Sequence, residues 1–223
     1  MNKHLIITAN IGNRDRLWPI SNKFDGCDYL YFTDSPENAD GWDTRESFQF
    51  STIDGFSDRR NAKLYKVLAP VMFPGYDYIV WHDSHKLLIV DPPSIIEEYG
   101  DFDLLLFKHP ERDCVYDEMT HVANLGRRLD VFENIHNQYK FYESCGMPKK
   151  YGLHEMTMFI AKPSNNVKQL MLMWWEQICK FGSRDQFSFE YCLWKLGGKI
   201  KIKQFEGQTR CNKYFIQHGE HIN

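Results

Sequence analysis

Tyr78-Ile79-Val80-Trp81-His82-Asp83-Ser84-His85 is the stretch on which the reading of this chain turns. Apolar and aromatic residues run without a break into a cluster of Asp and His. An unbroken apolar run this short suits a strand covered on both faces, and sheets gain such cover from helical crossovers. The spacing predicts a strand over Tyr76–Trp81, entered after the turn-former pair Pro74-Gly75. Before it, Ser57–Met72 reads as a helix: Ser57 or Asp58 caps it, and Leu64, Val67, Leu68 and Val71 share one face. Further out, His4–Ala9 and Asp28–Thr33 are apolar runs ending in polar turn residues. Downstream come a short helix over Pro92–Tyr99 with proline in its first turn, and a strand over Asp103–Lys108. A polar stretch of helix and loop follows at 111–145, then a strand at His154–Ala161 and helices at Asn165–Phe181 and Arg184–Leu196. Lys199–Phe205 alternates polar and apolar residues, as an edge strand with one wet face does.

Strands alternating with helices imply an α/β domain with one mostly parallel sheet. No linker, repeat or low-complexity tract divides the 223 residues, so a single domain is expected. Such sheets bind ligands beyond the carboxyl ends of their strands. That rule makes Thr8-Ala9-Asn10, Thr33-Asp34 and His82–His85 the places to look. A net charge of -3 offers no general attraction for nucleic acid or acidic lipid. The six cysteines form no CxxC pair, which argues against structural zinc and for free thiols in a reducing compartment. The N-terminus lacks the apolar run of a signal peptide, and no stretch reaches the roughly 20 apolar residues of a membrane helix. A cytoplasmic protein, or a soluble domain of a larger one, is the expectation.

In strand geometry residues two apart face the same way, so Asp83 and His85 are candidates to chelate one cation, with His82 packed on the other side. A carboxylate with an imidazole suits Mn²⁺, or else Mg²⁺. Transferases that use nucleotide-sugars need such an ion to bridge the diphosphate and neutralise the departing nucleotide. A polar surface turn is the plain alternative. His218, in the segment after the last strand, is a candidate third ligand, preferred to His221.

Several segments together resemble one family. Arg59-Arg60-Asn61-Ala62-Lys63 with Lys66 fits its R-x-x-K-x-x-K pattern. Phe73-Pro74, Tyr78 and Trp81-His82-Asp83 resemble P-x-x-x-Y-x-x-x-I-W-x-D, and Asp91-Pro92 its D-P. Gly152-Leu153-His154-Glu155, Trp174-Trp175-Glu176 and Ser183-Arg184-Asp185-Gln186-Phe187-Ser188-Phe189 resemble its later signatures. This is the TOD/MUCI glycosyltransferase-like family, and the similarity covers roughly residues 1–205. The resemblance implies a GT-A type fold, a Rossmann-like sheet flanked by helices with a small antiparallel edge, and metal-dependent donor binding. It implies hexosyl- or deoxyhexosyl-transfer from a nucleotide-sugar, UDP-linked, to a glycan hydroxyl. Residues 1–110 would form the nucleotide-sugar-binding half, and 111–223 the acceptor-binding and catalytic half. His85 departs from relatives, which commonly carry lysine or another residue there.

On this reading Thr8, Asn10, Ile11 and Asp34 line the nucleoside pocket, although strand-end turn chemistry explains Asn and Asp equally. Arg60 and Lys63, three apart on a helix, face the diphosphate, and Asp83 and Ser84 lie beside it. Gly152, His154 and Gln186 would approach the sugar. Asp185 is the catalytic candidate, either as base toward the acceptor or as a sugar-binding group, and Glu155 is the second. An N-cap role for Ser183 or Asp185 is the structural alternative. Trp174 and Trp175 read chiefly as core. Two other functions fit the same residues: a metal-dependent hydrolase of a nucleotide-sugar or lipid, and a nucleotide- or glycan-binding module without catalysis.

Overall fold

The computed structural model describes residues 3–35, 39–49, 57–125 and 129–217. In chain order the elements are β1 (His4–Asn10), β2 (Cys27–Thr33), β3 (Asp43–Glu46), α1 (Ser57–Met72), β4 (Tyr78–His82) and β5 (Lys86–Leu88). Then come α2 (Pro92–Tyr99), β6 (Leu104–Lys108), α3 (Val115–Asn124), α4 (Leu129–Ser144) and β7 (His154–Ala161). The last are α5 (Asn165–Phe181), α6 (Asp185–Lys195), β8 (Ile202–Gln204) and β9 (Phe215–Gln217). The apolar runs became strands and the 3.6-residue patterns became helices, with ends shifted by a residue or a few.

Seven strands form one sheet in the order β3-β2-β1-β4-β7-β6-β8. The first four in that order run parallel, and β6 pairs parallel with β8 at the edge where an edge strand was expected. β7 alone runs the other way, between β4 and β6. The small antiparallel piece is separate: β5 pairs with β9, setting Lys86 opposite Gln217. This is an α/β architecture, one mostly parallel sheet flanked by helices with a small antiparallel piece beside it.

All seven residues of β1 are buried, as a central strand covered on both faces must be. Alternation sends Leu5, Ile7, Ala9 and Ile11 into the core under α1 and α5, where Trp174 and Phe159 pack. Ile6 points to the other face, with Val80, Phe107 and Tyr214. The helix starts follow their caps. Asp91 accepts from Ser94 N at 3.0 Å ahead of Pro92, and Ser164 caps α5 through Val167 N.

Gly41 makes a tight crossing with the segment before β2. Its φ is 81°, and a Cβ there would lie 2.3 Å from the Ile20 carbonyl oxygen. The neighbouring bond from Ile20 N to Asp40 O, 2.9 Å, fixes the two strands of chain together. Gly41→Ala is therefore expected to destabilise the fold by about 2 kcal/mol or more. Urea unfolding checks this, and an unchanged midpoint would contradict it.

Candidate active site

A cavity of about 580 Å³ opens at the carboxyl ends of β1 and β4. Because β7 is antiparallel to β4, its early residues Glu155, Met156 and Thr157 reach that same end. α1 and the start of α6 close the cavity. α1 lines it with Asp58, Arg59, Ala62, Lys63 and Lys66, one stripe of a helix at i, i+1, i+4, i+5 and i+8.

Asp83 sits in the first turn beyond β4. Its Oδ1 accepts from Trp81 Nε1 at 3.1 Å and lies 3.8 Å from Lys66 Nζ, while Oδ2 makes no hydrogen bond among the described residues. The backbone holds it: Asp83 N donates to Thr157 O at 2.8 Å, and Lys86 N to Asp83 O at 2.9 Å. That second bond closes a turn. Strand alternation therefore ends at His82, and the geometry that would set His85 beside Asp83 no longer applies. This corrects the expected chelating pair. His85 is buried near Asp15, Nδ1 to Oδ2 at 3.5 Å, and Asp15 also accepts from Ser84 Oγ at 2.9 Å. His82 is packed, and burial pushes its pKa down to about 4. Among the described residues no three His, Cys, Asp or Glu side chains gather as a metal site. A carboxylate with one uncommitted oxygen facing a polar cavity still fits a hard cation in kind. His218 lies outside the described residues; Gln217 just before it accepts from Lys86 Nζ at 2.8 Å.

Asp185 opens α6 at the floor of the cavity. Trp174 Nε1 donates to its carbonyl at 2.8 Å, fixing the backbone. Its Oδ2 meets two ammonium groups, Lys66 Nζ at 2.5 Å and Lys63 Nζ at 2.9 Å. Burial would raise the Asp185 carboxyl, but the charges of Lys63 and Lys66 more than reverse this and hold it well below the usual carboxylate range. For Lys66, burial outweighs Asp185 and lowers its pKa; for Lys63, Asp185 and Asp83 outweigh burial and raise it. So strongly acidic a carboxyl is a weak base, poorly matched to taking a proton near neutrality. Glu155 lies in the same cavity, and its Oε2 accepts from the Thr209 hydroxyl.

The other expected residues divide. Asn10, Ile11, Lys63, Asp83, Ser84, Glu155, Asp185 and Gln186 all line the cavity. Thr8 does not: it is fully buried in β1, on the face that alternates away from Ala9 and Ile11. Asp34 instead accepts from Gly12 N at 3.0 Å. Arg60 does not line the cavity, and Arg59 takes that position. Gly152 and His154 do not line the cavity; the buried Glu190 accepts from His154 N at 2.9 Å and pairs with Nδ1 at 2.8 Å. Trp174 is core, as read. Lys66, Arg59, Asp15 and Arg184 were missed as lining residues. A second pocket of about 290 Å³, lined by Trp18, Tyr31 and Thr33 among others, shares Asn10 and Asp15 with the first.

All six cysteines are free thiols, and no described helix is long and apolar enough to cross a membrane. Mouse xyloside xylosyltransferase 1 in its apo form shares 10% identity over 92% of this chain and 84% of its own, at a TM-score of 0.46, too distant to bear on the site. A protein of Arabidopsis thaliana described as probable hexosyltransferase MUCI70 is 28% identical over 159 residues, 65% of this chain. The chain spans only 26% of that relative's length. Residues 54–221 match the model of a family described as TOD1/MUCI70, glycosyltransferase-like domain. With the greater part of its length matched, the chain belongs to the TOD1/MUCI70 glycosyltransferase-like family.

Proposed function

We propose that this chain is a metal-dependent glycosyltransferase domain that moves a hexose or deoxyhexose from a nucleotide-sugar, UDP-linked, to a hydroxyl of a glycan acceptor. One observation carries the reading: the cavity brings basic and acidic side chains together. α1 and the start of α6 bring Arg59, Lys63, Lys66 and Arg184, with Asp58 and Asp185 among them, while the strand ends bring Asp15, Asp83 and Glu155, with Arg14 beside them. Phosphate oxygens seek the first group; a cation and sugar hydroxyls seek the second. The smaller pocket, joined through Asn10 and Asp15, has room and an aromatic lining for the nucleoside.

Asp83 would hold the divalent ion, Mn²⁺ or Mg²⁺, with His218 as a further candidate ligand. Bound there, the ion supplies charge neutralisation for the departing nucleoside diphosphate. Glu155 takes the acceptor's proton during in-line attack on the anomeric carbon, since Asp185 is committed to two lysines. Glu155→Gln is expected to lower kcat by about 10²- to 10⁴-fold while donor affinity holds. Normal turnover would remove Glu155 from the reaction. The function itself is tested by calorimetry with a panel of nucleoside diphosphate sugars, with and without Mn²⁺. Heat with a UDP-sugar that requires the metal is expected; no heat with any donor would sink the reading. Nucleotide release that is equally fast without a glycan acceptor would make the enzyme a hydrolase instead.

A further inference from the structure

On the floor of the cavity, two ammonium groups converge on one oxygen. Lys63 and Lys66 both reach Asp185 Oδ2, and the next carboxylate oxygen, Asp83 Oδ1, is 3.8 Å from Lys66. Two ammoniums carry six N–H donors, so the carboxylate leaves them under-served. Lys66 has a side chain only 1% exposed, with its ammonium 5.8 Å above the Trp81 ring. Water reaches it poorly, and buried donors without acceptors are costly. Arg59 and Arg184 line the same cavity and form no ion pair among the described residues. The cations and carboxylates of the lining balance in number, but the N–H donors that Asp185 leaves over lie at the floor of an open cavity, where a multivalent anion with several acceptor oxygens can take them.

We propose that Lys63 and Lys66, held in place by Asp185, seat the two phosphates of the donor, that this seat works without the metal, and that Asp185 is a positioning residue. The identity of the anion as a donor's diphosphate rests on the function proposed above; the seat itself rests on the three side chains. Asp185 splays the ammonium groups apart and keeps them at the floor, and phosphate oxygens take the N–H donors that it leaves over.

A purely structural role predicts different behaviour. If the lysines serve only to neutralise Asp185, removing either one should weaken the fold. If they are a seat, one lysine is surplus to the fold, and Lys66→Met leaves a balanced Lys63–Asp185 pair with a side chain suited to burial. The test is calorimetry in EDTA with inorganic pyrophosphate and with UDP, alongside thermal unfolding. Wild type is expected to bind both, and Lys66→Met to lose about 10- to 100-fold in affinity with its Tm unchanged or higher. The more exposed Lys63→Gln should lose affinity similarly and serves if Lys66→Met does not fold. Asp185→Asn, where folded, frees the two ammonium groups from the place where the carboxylate holds them and should weaken pyrophosphate binding; an affinity that holds or rises would remove the positioning role. A lowered Tm in Lys66→Met with pyrophosphate binding intact would overturn the proposal. So would UDP binding that needs Mn²⁺ and ignores both lysines, a result that leaves the transferase reading standing. Lysine-dependent pyrophosphate binding with no affinity for any nucleotide-sugar would do the reverse, keeping the seat and discarding the transferase.

Discussion

Asp83→Ala is expected to abolish Mn²⁺-dependent binding of a UDP-sugar and to lower turnover by about 100-fold or more, the few kcal/mol that a metal's charge stabilisation supplies. Calorimetry in Mn²⁺ and in EDTA separates this from misfolding. The Asp83 backbone bonds to Thr157 and Lys86 survive the substitution, and Lys66 keeps Asp185 as its partner. Residual binding in EDTA should therefore equal that of wild type. If the variant kept its metal-dependent heat, the ion would have to sit elsewhere.

Asp185→Asn should damage the fold more than any other single change at the cavity. It leaves two ammonium groups, one of them buried, without the carboxylate that both contact. Removing one partner of a buried ion pair costs about 3–5 kcal/mol. The pH dependence follows from the direction of the shift. In the folded chain the Asp185 carboxyl titrates below its unfolded value of about 3.9, so its stabilisation is complete above that value and fades as pH falls through it. Wild type should lose this contribution progressively below about pH 4. The Asn variant should be weaker at neutral pH and lose less on acidification. Denaturant melts at several pH values decide it: parallel stability curves for the two proteins would show that Asp185 carries no such energy.

Much of this was legible in the chain, and the exceptions have physical causes. Central strands such as Ile79–Trp81 declare themselves because cover on both faces demands a continuous apolar run. The helix over Ser57–Met72 was plain, but its phase was misjudged at one residue. Arg60, Leu64, Val67 and Val71 are spaced four, three and four apart, which places Arg60 on the buried flank. The lining stripe of Arg59, Lys63 and Lys66 runs beside it, and the apolar pattern contained that phase. His85 failed differently. Period-two reasoning holds only while the chain stays extended, and the turn closed by Lys86 N is a hydrogen bond that no local composition reveals. The partnership of Asp185 with Lys63 and Lys66 joins opposite ends of the sequence. Nothing local tells which acid will meet which base, so Asp185 read as a base because its neighbours gave no sign of two bound cations. His154 is held by Glu190, another distant partner.

The place of β7 in the sheet bears on how the chain can be cut. It comes from the later part of the sequence yet fills the gap between β4 and β6, both from the earlier part. A fragment ending near residue 110 would hold β4 and β6 without the strand that lies between them, and the remainder would hold that strand. Reconstitution from two separately produced pieces would thus require a strand to thread into the middle of a preformed sheet. Permuted or split versions for biosensing would do better to break the chain outside that interleaved region.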